Sequence, residues 1–157
     1  MFRELQRKNK ELSFNECIAI LKKEKRGVLS VIGDGGYPYG MPMNHYYDND
    51  GNIYFHCGKS GHRLDSLKSC NKASFCVYDE GVKKENEWAL TEKSVIAFGR
   101  IEVIDNDSVI EDVSAKLSRK FTDDEAYIKN EIELYSHETI ILKLIPELIC
   151  GKKVEEK

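Results

Sequence analysis

The sequence has no C-x-x-C pair: Cys17, Cys57, Cys70, Cys76 and Cys150 are odd in number and lie far apart. Neither a disulfide framework nor a zinc site is suggested, and reduced thiols are expected. No apolar run approaches the ~20 residues that a membrane-spanning helix needs. The opening MFRELQRKNKEL is charged and has no apolar signal core, so a cytoplasmic protein without a membrane partner is expected. Charge of one sign is also scarce. Lys and Arg number 24 against 27 Asp and Glu, a net charge of -3, which gives no field to gather phosphate backbones or anionic lipid. A nucleic-acid partner is therefore not expected. The chain has no G-x-x-x-x-G-K-[ST] loop and no Rossmann glycine pattern, and it carries no internal repeat or low-complexity tract.

What is present describes one ordinary globular domain over residues 1–157, with 41% hydrophobic and 32% charged residues. Ser13 and Glu16 form a capping-box pattern, and Cys17, Ile18, Ile20 and Leu21 continue it as an apolar helix face to about Lys25. Val28 to Ile32 is a β-branched strand closed by Asp34-Gly35-Gly36, a hairpin turn signal. Tyr37 to Tyr47 contains Pro38 and Pro42, each lacking a ladder donor, and so reads as an irregular or edge strand.

Asn52 to Cys57 is a short aromatic strand running into Gly58-Lys59-Ser60-Gly61-His62, after which Leu64 and Leu67 resume at helical spacing. Ala73 to Tyr78 is a further strand, Asp79 to Glu87 a charged excursion, and Ser94 to Ile104 a long strand with a bulge or bend at Gly99. A helix over Asp107 to Lys120, partial helix over Thr122 to Ser136 and a last strand over Thr139 to Ile145 complete the chain. Consecutive hairpin strands with few helices argue for an antiparallel barrel or sandwich of about six strands.

The loop from Gly58 to Arg63 is the most informative stretch. It places Lys59, Ser60, His62, Arg63 and two glycines at a strand-to-helix junction, where backbone amides, the positive helix end and cationic side chains suit an anion. A basic loop in solvent would look the same. His45 and His56 lie on neighbouring strands with His62 close by, but no carboxylate or Cys pattern completes a metal site, and none is assigned. His56 and Cys57 are adjacent on a strand and so point to opposite faces, which opposes a nucleophilic pair. Trp88, the only tryptophan, could cover a flat ligand, meet another subunit or cap the core.

Six pieces in order, MFRELQRKNKELS, GVLSVIGDGGYPYGMPMN, IYFHCGKSGHRLD, KASFCV, SVIAFGRIEVI and the late Gly151-Lys152, resemble the nitroimidazole-resistance (Nim) branch of the pyridoxamine 5'-phosphate oxidase-like flavoproteins. The resemblance covers most of the chain. It implies a mainly β (α+β) fold, a six-stranded antiparallel split β-barrel with flanking helices, forming a homodimer with FMN at the interface. Met43, Asn44 and His45 would run along the isoalloxazine ring with backbone and side-chain contacts. His62 and Arg63 would hold the phosphate, with Lys59 and Ser60 in the same loop. Ser94 and Val95 would come from the neighbouring subunit, and Lys152 belongs to the late Gly-Lys piece. His56 matches a position near the reactive part of the flavin and is the residue chosen as catalytic.

The vitamin-making oxidases usually carry Arg-Lys where this chain has His62-Arg63, and their substrate-binding C-terminal segment has no clear counterpart, so pyridoxamine-phosphate oxidation is not expected. The implied activity is an FMN-dependent reductase. It would take hydride from NAD(P)H, bound transiently, and pass two-electron equivalents to a small flat acceptor such as a nitro-aromatic. A flavin-binding or flavin-sensing protein without turnover, and a haem-binding relative of the same barrel with an axial histidine, stay open.

Overall fold

Ser13 and Glu16 cap the first helix as their spacing predicts: the Ser13 amide donates to Glu16 Oε2 at 2.9 Å and the Glu16 amide to Ser13 Oγ at 3.3 Å. The computed structural model describes residues 2–83, 85–86 and 88–155. Helix α1 covers Phe14–Lys23, ending two residues early because Glu24 is already extended and β1 (Arg26–Ile32) begins pairing at once. A turn through Asp34–Gly36 leads to β2 (Pro38–Asn44), then β3 (Tyr46–Tyr47) and β4 (Ile53–Gly58). Helix α2 (His62–Ser69), β5 (Lys72–Tyr78), β6 (Val82–Lys83) and β7 (Leu90–Ile104) follow, then α3 (Asp107–Ser118), α4 (Glu125–Tyr135) and β8 (Thr139–Glu155).

All strand pairs are antiparallel, in the order β2-β1-β5-β7-β8-β4-β3, with β6 added beside β7. The two ends of this order, β2 and β3, are consecutive in the chain and separated only by His45. That single residue carries the backbone from one edge of the sheet to the other and draws the sheet into a barrel. The six long strands make the expected split barrel, and the two short ones, β3 and β6, add to the count.

Alternation fills the interior. Leu29 and Val31 of β1, Met41 and Met43 of β2, Phe55 of β4, Phe75 and Val77 of β5 and Val95 and Ala97 of β7 share one cluster with Leu21 of α1. Each fully buried Leu or Phe stabilises the barrel by about 1.5–3 kcal/mol. A second cluster lies outside the barrel, where Ile110, Val113 and Leu117 of α3 cover Ile141 of β8, with Tyr54 beside them.

Two expectations change. The last strand does not stop at Ile145 but continues to Glu155 through Pro146 and Gly151. Pro146 stands opposite Gly99 where the β7–β8 register shifts, so its missing donor falls at a bulge and the ladder resumes. The charged excursion is partly a hairpin, with Val82 and Lys83 paired to Thr91 and Leu90; Lys84 and Glu87 of that stretch lie outside the described residues. Trp88 is 72% exposed and caps no core in this chain. Among the described residues, no helix is long and apolar enough to cross a membrane.

Candidate functional site

The junction between β4 and α2 is shaped by its glycines. Gly61 has φ +120°, a value that strains any residue with a Cβ, and no side chain caps the helix it starts. Leu64 and Asp65 amides turn back to the Gly61 carbonyl at 3.0 and 3.2 Å, while among the described residues the His62 and Arg63 amides have no acceptor. A Cβ added at Gly58 or Gly61 would meet nothing within 4 Å, so there is open space over the loop.

Side chains surround that space. Ser60 is exposed, and Lys59 pairs with Asp105 at 3.1 Å, which ties the loop to the end of β7. The His62 ring stacks on Tyr39, with centroids 4.4 Å apart, and its Nε2 accepts from the Asp34 amide at 3.4 Å. Arg63 Nε donates to Met41 Sδ at 3.0 Å, a weak acceptor, and has no carboxylate partner among the described residues. Burial pushes the Cys57 thiol up, and the nearby Arg63 charge works against that rise. A cationic guanidinium on a thioether, an uncapped helix start and glycines with room above them fit a phosphate group.

The other residues expected at the site are dispersed. Met43 points into the barrel and Asn44 Oδ1 accepts from Arg26 Nε at 3.1 Å. His45, expected along the ring with backbone and side-chain contacts, has its side chain fully buried at the barrel seam in this chain. Its Nε2 lies 2.8 Å from the Leu21 carbonyl and its ring packs edge-on against Phe75, while Nδ1 has no partner among the described residues. Burial, then the Lys120 charge, pull its pKa down to about 4. Lys120 Nζ donates to the His45 carbonyl at 3.0 Å and to Glu24, fastening the seam to α1; burial first lowers its pKa to about 8.

Val95 is fully buried in the barrel core. Ser94 and Lys152 are register partners on the outer face of β7 and β8, with Lys152 near the end of β8 remote from Thr139, the residue paired with Gly58. His56, expected near the reactive part of the flavin, lies apart from the β4–α2 loop within this chain. The pleat of β4 turns it away from Cys57 and Arg63 and into a recess under α3 and α4. The chain thus brings together Lys59, Ser60, His62 and Arg63, and leaves His56, Ser94 and Lys152 elsewhere.

Sequence reasoning missed Tyr39 and Met41, which hold His62 and Arg63, and Tyr127, Glu131 and Tyr135, which line the recess with His56. Period-two alternation along β2 and four-residue spacing along α4 were the available signals. Among the described residues no three His, Cys, Asp or Glu side chains converge as metal ligands do.

Known proteins were compared with this fold. No curated protein matches the chain significantly. A protein named for 5-nitroimidazole antibiotic resistance, from Bacteroides thetaiotaomicron, superposes with a TM-score of 0.75 at 18% identity, over 92% of this chain and 87% of that one. An FAD-binding protein from Mesorhizobium loti gives 0.65 at 20% identity, over 92% and 96% of the two chains. A flavocytochrome from Azotobacter vinelandii gives 0.69 at 16% identity, over 92% and 71%. At such identities the likeness is one of fold. The sequence model for pyridoxamine 5'-phosphate oxidase, however, matches residues 13–153, the whole barrel from the first helix cap to the late lysine, and by that match the chain belongs to the pyridoxamine 5'-phosphate oxidase family.

Proposed function

We propose that the chain is an FMN-dependent oxidoreductase, active as a homodimer, that accepts electrons from NADH or NADPH and reduces small flat acceptors such as nitro-aromatics. The observation that carries this reading is the β4–α2 junction: an uncapped helix start under Gly58 and Gly61, flanked by Arg63, His62 and Ser60. The flavin names of two structural neighbours support a flavin as the ligand whose phosphate would sit there. A flavin, when bound, supplies the two-electron chemistry.

The protein's own part is to bind and orient. Arg63 and the amides of His62 and Arg63 would neutralise the phosphate, with Ser60 adding a hydroxyl donor. Ser94 and Lys152 would complete the site from the second protomer, since they are register partners on the outer face of β7 and β8; Val95, expected beside them, is fully buried in this chain. Met43 and Asn44 would meet the ring through backbone groups at the end of β2.

The test is direct. Purified protein should be yellow and release FMN, not FAD, on denaturation. Reduced anaerobically with NADH or NADPH, it should be reoxidised by a nitro-aromatic or a quinone. Failure of every such acceptor would leave flavin binding without turnover. A Soret band in place of flavin absorbance would replace the reading with haem binding.

A further inference from the structure

The recess that receives His56 is separate from the flavin loop and has its own chemistry. It holds about 330 Å³ between β4 and the two outer helices, the lower end of the ~300–1,000 Å³ range of small-ligand pockets. Helix α4 supplies Tyr127, Glu131 and Tyr135, spaced four residues apart and therefore on one face; α3 supplies Ser114 and Ser118 in the same way.

Of the polar groups of this wall, the Thr139 hydroxyl donates to the Tyr135 carbonyl at 2.8 Å. Among the described residues, neither the His56 ring nor the hydroxyls of Ser114, Ser118 and Tyr127 has a hydrogen-bond partner. Glu131 is half-buried without an ion pair, while its neighbours Lys129 and Glu133 pair with each other at 3.7 Å. Tyr127 and Tyr135 stay 54% and 55% exposed beside it. Partial desolvation lowers the His56 pKa, which disfavours its charged form. Among the described residues that line the recess, Glu131 is the one carboxylate and there is no Lys or Arg.

This set selects among ligands. An anion would meet the Glu131 charge unaided. A metal ion would need several converging ligands, and no such group exists among the described residues. An amine or quaternary ammonium group matches all of it: a carboxylate for its charge, aromatic side chains that attract cations, and hydroxyls for its polar end. We infer that the recess binds a small organic cation, held by Glu131 and by the rings of Tyr127 and Tyr135, at a site distinct from the flavin loop.

The experiment uses the full chain as purified, with its cofactor content recorded, and titrates it with choline while following the histidine and tyrosine ring signals by NMR. Saturable shifts of the His56 and Tyr127 signals are expected. 3,3-Dimethyl-1-butanol, the uncharged carbon isostere of choline, should bind roughly tenfold more weakly. Glu131→Gln and Tyr127→Leu should each weaken choline by roughly tenfold without changing cofactor content. Equal binding of the two ligands, undiminished choline binding in both variants, or no saturable choline binding would overturn the inference. Because cofactor content is measured separately, loss of the flavin reading would leave this test intact.

Discussion

His56 and Cys57, joined by one peptide bond, serve opposite sides of β4: His56 opens into the recess under α3 and α4, and Cys57 packs on the barrel core beside Arg63. The pleat of one strand thus separates two pieces of chemistry that are contiguous in the sequence.

Arg63 is expected to dominate cofactor retention. A hydrogen bond to a charged group contributes about 1.5–3 kcal/mol, so Arg63→Ala should weaken flavin binding by roughly ten- to a hundredfold. The flavin-to-protein ratio after dialysis measures this, with gel filtration to show that the variant keeps the wild-type oligomeric state. Unchanged occupancy would remove Arg63 from the phosphate site.

A mixed dimer tests whether the two halves of the site belong to different chains. Arg63→Ala and Lys152→Ala homodimers should both lose flavin. In a heterodimer of the two variants, one site has both residues intact and the other neither, so flavin should return to one site per dimer. If both residues served the same protomer's site, no site would be restored.

His45 should impose a pH dependence on stability. Its pKa of about 4 in the fold lies below the ordinary 6.5, so between those values the unfolded chain binds a proton that the folded chain refuses. Stability is then full above pH 6.5 and falls as the pH drops toward 4, by up to about 3 kcal/mol. Urea unfolding at pH 7 and pH 4.5 should show the loss in the wild type. His45→Gln, which keeps a donor for the Leu21 carbonyl and does not titrate, should flatten it.

Gly99 marks the closest approach of two backbones. A Cβ there would collide with the Ile145 carbonyl at the β7–β8 register shift, so Gly99→Ala should destabilise by about 1–3 kcal/mol or more. A thermal melt lowered by several degrees is expected; an unchanged melt would mean that the bulge yields easily.

Much of the architecture was legible in local patterns. The capping box at Ser13, the turn at Asp34–Gly36, the prolines of β2 and the break at Gly58–Gly61 each act within a few residues, and each appears where the pattern puts it. The length of β8 was not legible. Pro146 and Gly151 read as strand breakers until their partners are known, and only the facing Gly99 shows why the ladder survives them.

The site divided in the same way. The residue types in the loop from Gly58 to Arg63 determine by themselves that an anion could be received there, because glycine freedom, helix polarity and cationic donors are local properties. Where each histidine looks is not local. His45 is buried because the chain crosses from β2 to β3 through it, and His56 leaves the loop because the helices that cover its face, α3 and α4, come far later in the chain. The sequence by itself determined where most of the barrel's strands begin and which loop concentrates glycines with cationic donors. Tertiary structure alone decided which side chains share a cavity, because that depends on closure and packing between segments far apart in the chain.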